Sequence, residues 1–304
     1  MNKTTTISIV VAIIIIIGLY FIFRSPALPT PTDQNPTTTP LVTGSTASPS
    51  VKPAQVEGAT TMIGKSIEGR DMIAYNYGTG SIRLLFVGGI HGGYEWNTSL
   101  LAYELMDYLA ANPEVVPANL KVTIIPVLNP DGLSKVVSKT GAFTASDVSG
   151  SESQKVSGRF NANGVDLNRN FDCDWQTKGV WQNKSVSGGE AAFSEPESLA
   201  MKNYIESAKP AAVVVWYSAA GGVYSSNCHG GVLPETDTIT KVFADASGYP
   251  AYKSFDFYAT TGDMVNWLAK INIPAVSVLL TNHTSTELTK NKAGLKALLD
   301  YYSK

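Results

Sequence analysis

The chain has only three histidines, His91, His229 and His283, and two cysteines in 304 residues. Any metal site on it must therefore draw on few imidazoles. Charge is also scarce: 16% of residues are charged and the net charge is −2. With no basic excess, nucleic acid is not expected as a partner. No internal repeat is evident. Only one long apolar run exists, at the N-terminus, and no second span follows it.

That run extends from Ile7 to Phe23 between Lys3 and Arg24. About 17–25 apolar residues suffice to cross a bilayer as a helix. No small-residue cleavage site of the Ala-x-Ala type ends it, so residues 1–24 read as an uncleaved signal anchor, with a removed signal peptide as the alternative. Either way the remainder is expected to be exported, and localisation is expected at the cell membrane, single-pass, with the globular part extracytoplasmic. Residues 25–55 are rich in Pro, Thr and Ser and too poor in aliphatic residues to offset ordering entropy. They read as a disordered linker. In an oxidising compartment Cys173 and Cys228 either pair or remain two buried thiols.

Residues 56–304 carry the globular pattern. Ile82–Val87, Val122–Val127, Ala211–Trp216 and Ala275–Leu280 are short, nearly all-apolar runs and read as buried strands. Ser99–Leu109, Ser198–Ala208, Asp263–Lys270 and Lys292–Tyr302 read as helices. The alternation predicts an α/β domain with a mixed, mostly parallel central sheet flanked by helices. Ligands of such sheets bind beyond the carboxyl ends of the strands. His91, Asn129, Tyr217 and Thr281 each follow a strand in this reading, so they are expected in one place.

Three groups of residues bear on chemistry: His91-Gly92-Gly93-Tyr94-Glu95, the string Asn161-Ala162-Asn163-Gly164-Val165-Asp166-Leu167-Asn168-Arg169-Asn170-Phe171, and Tyr217-Ser218 with the later Val278-Leu279-Leu280. With Asn129-Pro130-Asp131-Gly132 and Phe193-Ser194-Glu195-Pro196-Glu197, they make residues 60–300 resemble the carboxypeptidase A-like zinc metallopeptidases. The resemblance implies that fold and a peptide C-terminus as partner, in a free peptide or in the cell wall. Asn168 and Arg169 match the pair that grips the terminal carboxylate, a task suited to a planar guanidinium. Arg159 resembles the arginine that polarises the scissile carbonyl, with a solvated surface arginine as the alternative. Tyr258 resembles the tyrosine of a loop that folds over substrate. Val265 falls where a side chain lines the terminal-residue pocket, which favours an apolar terminal side chain.

The same resemblance implies zinc, and here the chain departs from the pattern. The family's His-x-x-Glu is His91-x-x-x-Glu95, one residue longer. These two remain the expected ligands, and His91 packed against Trp96 or Tyr94 is the other reading. The third ligand, a histidine after a core strand, is replaced by Tyr217; His283 and His229 are the candidates to stand in. The catalytic glutamate is replaced by Leu279, which cannot accept a proton. Glu287 could take its place only if residues 282–286 folded inward. The sequence thus supports two functions, a membrane-tethered carboxypeptidase with a rearranged metal site or an inactive binder of peptide C-termini. A scaffold with a silent pocket is a third, unsupported by any particular residue.

Overall fold

The all-apolar runs form the middle of one sheet, and more polar segments extend it at both edges. The computed structural model describes residues 60–304. The expected anchor and linker, residues 1–24 and 25–55, lie outside the described residues. Among the described residues, no helix is long and apolar enough to cross a membrane.

In chain order the elements are β1 (Thr60–Lys65), β2 (Asp71–Tyr77), β3 (Ile82–Val87), α1 (Trp96–Ala111), β4 (Leu120–Ile125), α2 (Pro130–Ser134) and α3 (Glu152–Ser157). There follow the hairpin of β5 (Lys178–Trp181) and β6 (Lys184–Ser187), then α4 (Pro196–Ala208), β7 (Ala212–Ser218) and β8 (Gly222–Ser225). The chain closes with α5 (Pro234–Ser247), β9 (Ala251–Tyr252), α6 (Met264–Lys270), β10 (Ala275–Leu280) and α7 (Leu288–Tyr302). The eight-stranded sheet runs β1-β2-β4-β3-β7-β10-β8-β9. Its centre, β4-β3-β7-β10, is parallel; β1-β2, β2-β4 and β10-β8 are antiparallel, and the outermost pair β8-β9 is parallel.

Every residue of β7 and β10 is buried. Alternate residues serve opposite faces, as the two-residue period of a strand requires. Val214, Trp216, Val278 and Leu280 face a core closed by Leu101 of α1, Phe243 of α5 and Leu295 of α7. Val213, Val215, Tyr217 and Leu279 face the other core, closed by Met201 of α4 and Trp267 of α6. Tyr217 and Leu279 are also direct partners in register.

Several boundaries differ from the sequence reading, α7 beginning at Leu288 rather than Lys292 among them. β7 runs through Ser218, so Tyr217 lies inside the strand. β4 begins at Leu120 and stops at Ile125, because Pro126 has no N–H to continue a ladder. α1 begins at Trp96 rather than Ser99, because buried Asn97, Thr98 and Ser99 belong to its first turn and masked the apolar periodicity.

Candidate functional site

The carboxyl ends of β3, β7 and β10 open on a cavity of about 180 Å³, lined by His91, Glu95, Arg169, Tyr217, Tyr258 and Leu279 among others. His91 follows β3, and Glu95 is the residue that precedes the first turn of α1. The extra residue between them is taken up in a turn closed by the Tyr94 N–H donating to the His91 carbonyl at 3.0 Å. Glu95 returns to His91, placing Oε1 3.0 Å from Nδ1. His91 Nε2 lies 3.4 Å from Oδ1 of Asp166. Neither approach has hydrogen-bond geometry, so both ring nitrogens and Oε2 of Glu95 are buried without a hydrogen-bond partner. His91 also lies 5.7 Å, centroid to centroid, from the Tyr217 ring.

Asp166 anchors the far side. It accepts from Arg159 Nε at 2.9 Å and Nη2 at 2.8 Å, and from the Asn168 N–H at 3.0 Å. Burial pushes its carboxyl upward, but the Arg159 guanidinium and then His91 outweigh that and hold it well below the usual carboxylate range. Arg159 itself is fully buried, with Trp181 of β5 stacked over its guanidinium at 4.5 Å. It is therefore not the solvated surface arginine that spacing left open. It lines the cavity while two of its nitrogens are spent on Asp166.

Asn168 and Arg169 sit in a single 3₁₀ turn, Leu167–Arg169, headed by Asp166. Asn168 Oδ1 accepts from the Tyr217 hydroxyl at 3.2 Å and from the Met264 N–H at 3.1 Å, and its Nδ2 donates to Asp263 at 3.2 Å. Arg169 donates from Nε and Nη2 to the Val180 carbonyl at 3.1 and 2.6 Å, and from Nη1 to the Asn168 carbonyl at 2.6 Å. A guanidinium has five N–H donors. Two remain, one on each terminal nitrogen, which is the number a bidentate carboxylate takes. Gly262 makes the fit possible: a Cβ there would stand 2.2 Å from the Arg169 carbonyl, and its φ is +68°. The Tyr258 ring lies 5.9 Å from the Arg169 guanidinium and 5.0 Å from Phe255. Burial raises its phenol pKa.

The remaining expected residues separate into those near the cavity and those away from it. Val265 is buried in the cavity wall, but it shares that wall with Asp263, Ser277 and Asn266, so the lining is more polar than a valine alone suggests. His283 shares a hydrogen bond with Ser218 Oγ at 2.9 Å and packs on Tyr94. His229 is exposed on a loop and pairs with Asp174 at 2.6 Å. Neither joins His91 and Glu95. Glu287 accepts from Thr281 and Tyr249 at 2.8–3.0 Å and does not line the cavity. Cys173 and Cys228 form a disulfide, which decides between the two thiol readings.

His91 and Glu95 are donors of the kind zinc takes, and their orphaned buried atoms suit a cation. Among the described residues no third His, Cys, Asp or Glu donor completes a set with them. Burial, then the nearby Asp263 and Glu95 carboxylates, push the Tyr217 phenol well above its ordinary value, and that phenol already donates to Asn168. Among the described residues no group of three His, Cys, Asp or Glu side chains could hold a metal ion. A catalytic zinc takes three protein ligands, so these residues do not fit one.

Asp166, Asp263 and the Val180 carbonyl escaped sequence reasoning. Asp166 lies inside the diagnostic string and Asp263 heads α6, so their presence was visible. Their contacts across 7 to 95 positions of chain were not.

The parallel-centred α/β sheet carries a buried asparagine–arginine pair at its carboxyl edge. The sequence model of the zinc carboxypeptidase family matches residues 58–287, and the chain belongs to that family. It is similar to gamma-D-glutamyl-L-diamino acid endopeptidase 1 of Lysinibacillus sphaericus, 28% identical over 221 residues, covering 66% of this chain and 55% of that protein. It is likewise similar to the human carboxypeptidase N catalytic chain, 28% identical over 207 residues, covering 64% of this chain and 40% of that protein. The chain thus spans about half the length of these relatives. Among solved structures, murein-tripeptide amidase MpaA of Escherichia coli O157 has the same fold, with a TM-score of 0.59 and 21% identity, covering 83% of this chain and 95% of that one. Carboxypeptidase A of Helicoverpa armigera matches with a TM-score of 0.60 and 20% identity, covering 80% and 66%.

Proposed function

We propose that this protein is an exported, membrane-tethered member of its family that holds peptide C-termini without hydrolysing them at a carboxypeptidase rate. The observation that carries this reading is the in-register pair Tyr217 and Leu279 at the cavity. The resemblance expects a metal ligand and a general base there. A phenol of raised pKa and an aliphatic side chain supply neither. The other half of the site keeps its polar machinery: Arg169 offers two unspent N–H donors, Asn168 stands beside it, and Tyr258 covers it. The binding role therefore needs only groups that are present.

Cell-wall peptides are the favoured ligands. Support comes from two similar proteins, a diamino-acid endopeptidase and a murein-tripeptide amidase. The apolar run 7–23 and the Pro/Thr/Ser segment after it support the tether, which would hold the domain close to such peptides.

One observation favours a second reading, a zinc peptidase with a rearranged centre. His91 Nδ1 and Glu95 Oε1 are 3.0 Å apart, and the buried nitrogen lacks a hydrogen-bond partner. Calorimetry with an acetylated tripeptide and its C-terminal amide separates the alternatives, alongside metal analysis of the purified protein. Binding that needs the free carboxylate, with less than one zinc per chain and no released residue, supports the binder. Equal binding of the amide counts against it. Stoichiometric zinc with chelator-sensitive release favours the second reading.

A further inference from the structure

We propose that Ser218 and His283 act as a nucleophile and its base, taking up short acyl groups from carboxylic esters that enter the cavity, an activity separate from the peptide binding argued above. The first observation is place. Ser218 ends β7 at the carboxyl edge of the sheet and lines the cavity together with Arg159. His283 lies three residues past the end of β10, the strand beside β7. Ser218 Oγ and His283 Nδ1 are 2.9 Å apart, within the range over which a hydroxyl hands its proton to an imidazole.

The second observation is how the pair is held. Asn97, fully buried in the first turn of α1, donates from Nδ2 to the carbonyls of Asn282 at 2.8 Å and Ser285 at 3.0 Å, on either side of His283. Its Oδ1 is thereby turned to Ser218 Oγ, 3.2 Å away. One side chain thus fixes the His283 loop against the end of β7. The Tyr94 ring packs on His283 with centroids 4.6 Å apart and lies 5.8 Å from the Arg159 guanidinium, so the imidazole and that cation flank one ring. Burial lowers the His283 pKa by more than the Glu95 carboxylate raises it, so the ring is neutral at neutral pH and able to take a proton. In the tautomer with its proton on Nε2, Nδ1 is the acceptor that faces Ser218.

Ser218 Oγ bonds to the ester carbonyl carbon while its proton passes to His283 Nδ1. The carbonyl oxygen gathers negative charge, and Arg159, a cation in the same cavity wall, offsets it. The bond to the leaving oxygen then breaks, and the alcohol takes the proton from His283. Water attacks the acyl–Ser218 ester, passing a proton to His283. The acid departs and Ser218 regains its proton, so water is the sole co-reactant. An alcohol leaves with less acid assistance than an amine, and one imidazole supplies that assistance. Esters rather than amides are therefore the substrates. A cavity of about 180 Å³ suits a short acyl chain.

The test treats the full chain with an alkyl fluorophosphonate, which phosphonylates an activated serine hydroxyl with loss of fluoride, and locates the adduct by mass spectrometry of the digested protein. The expected result is an adduct on Ser218, none in Ser218→Ala, and a labelling rate lower by about 10²–10⁴ in His283→Gln, the usual worth of a general base. Glutamine keeps a hydrogen-bonding group beside Ser218, so a histidine that only braces the loop predicts an unchanged rate. Hydrolysis of 4-nitrophenyl butyrate is expected to fall toward the buffer rate in Ser218→Ala and to be indifferent to chelator. Absence of a Ser218 adduct in the natural protein overturns the proposal without any variant. Equal labelling of His283→Gln overturns it as well, and so does ester hydrolysis that survives in Ser218→Ala or stops with chelator.

Discussion

Replacing Tyr217 by histidine is the most direct trial of why the site falls short of a metal centre. Tyr217 is buried in β7 beside His91, with ring centroids 5.7 Å apart. The substitution puts an imidazole donor next to the existing His91 and Glu95 pair. It also shrinks a packed side chain and removes the hydroxyl that donates to Asn168. Partial loss of a buried aromatic ring costs about 1–3 kcal/mol, less than full truncation to alanine. For a domain of this size that lowers Tm by roughly 2–12 °C, at about 2–4 °C per kcal/mol. A ligand at a hundred times its Kd restores about 2.7 kcal/mol, or roughly 5–11 °C on the same scale. Differential scanning calorimetry with and without zinc, and with chelator, reads both effects. The natural protein is expected to show no zinc-dependent rise, and Tyr217→His to show one. A rise of that size in the natural protein refutes the reasoning, because two donors would then suffice. No rise in Tyr217→His refutes it from the other side, because the missing donor would not be what position 217 lacks. Adding Leu279→Glu to Tyr217→His is expected to raise peptide hydrolysis by about 10²–10⁴ over the single variant, the usual worth of a general base.

Arg169→Ala removes the guanidinium that the binding reading needs. It is expected to weaken a free-acid peptide by about 2–5 kcal/mol, a factor of roughly 30 to several thousand, while leaving the weak affinity for the amide little changed in the same calorimetric titration. Glu287→Gln tests the anchor between β10 and α7. Partial burial raises the Glu287 carboxyl, but donors from Thr281 and Tyr249 hold it below its ordinary value. Its stabilisation is therefore full above the unfolded pKa near ~4.3 and lost as pH falls through the lower folded value. Denaturant melts should show a stability difference between the natural protein and Glu287→Gln that shrinks below about pH 4. Cys173→Ser with Cys228→Ser opens a bridge of sequence separation 55. Chain-entropy reasoning puts the loss at about 4 kcal/mol, and an unchanged denaturation midpoint would contradict it.

The parts of this structure legible in sequence were those whose physics is local. Ile82–Val87 and Ala275–Leu280 form strands at the expected bounds because each is an unbroken apolar run bounded by turn residues. The outer strands β2 and β8 and the edge strands β1 and β9 were not foreseen. β1 and β9 are mostly exposed, β8 and β9 are only four and two residues long, and a half-solvated edge leaves little apolar signature. In the site, the Asn168-Arg169 pair was readable as a string, and the cavity brings both together with Tyr258 and Val265. The fates of His229 and His283 were not readable. Proximity in sequence to Tyr217 and Leu279 placed both as candidates, yet an exposed pair with Asp174 holds one and the Ser218 hydroxyl holds the other. Asp263 was visible as the head of a helix, but its place in the cavity is fixed by its hydrogen bond to Asn168, a contact across 95 positions of chain.

The acceptor behind Arg169 is the main-chain carbonyl of Val180, at the end of a hairpin strand whose other contact, Trp181, covers Arg159. Any amino acid at position 180 presents the same oxygen. Single substitutions at position 180 thus cannot delete this support, whereas one inserted or deleted residue in the hairpin moves it. The geometry of the anion grip is written in the length of that hairpin, and relatives with altered lengths there should differ in grip even where every residue facing the ligand is identical.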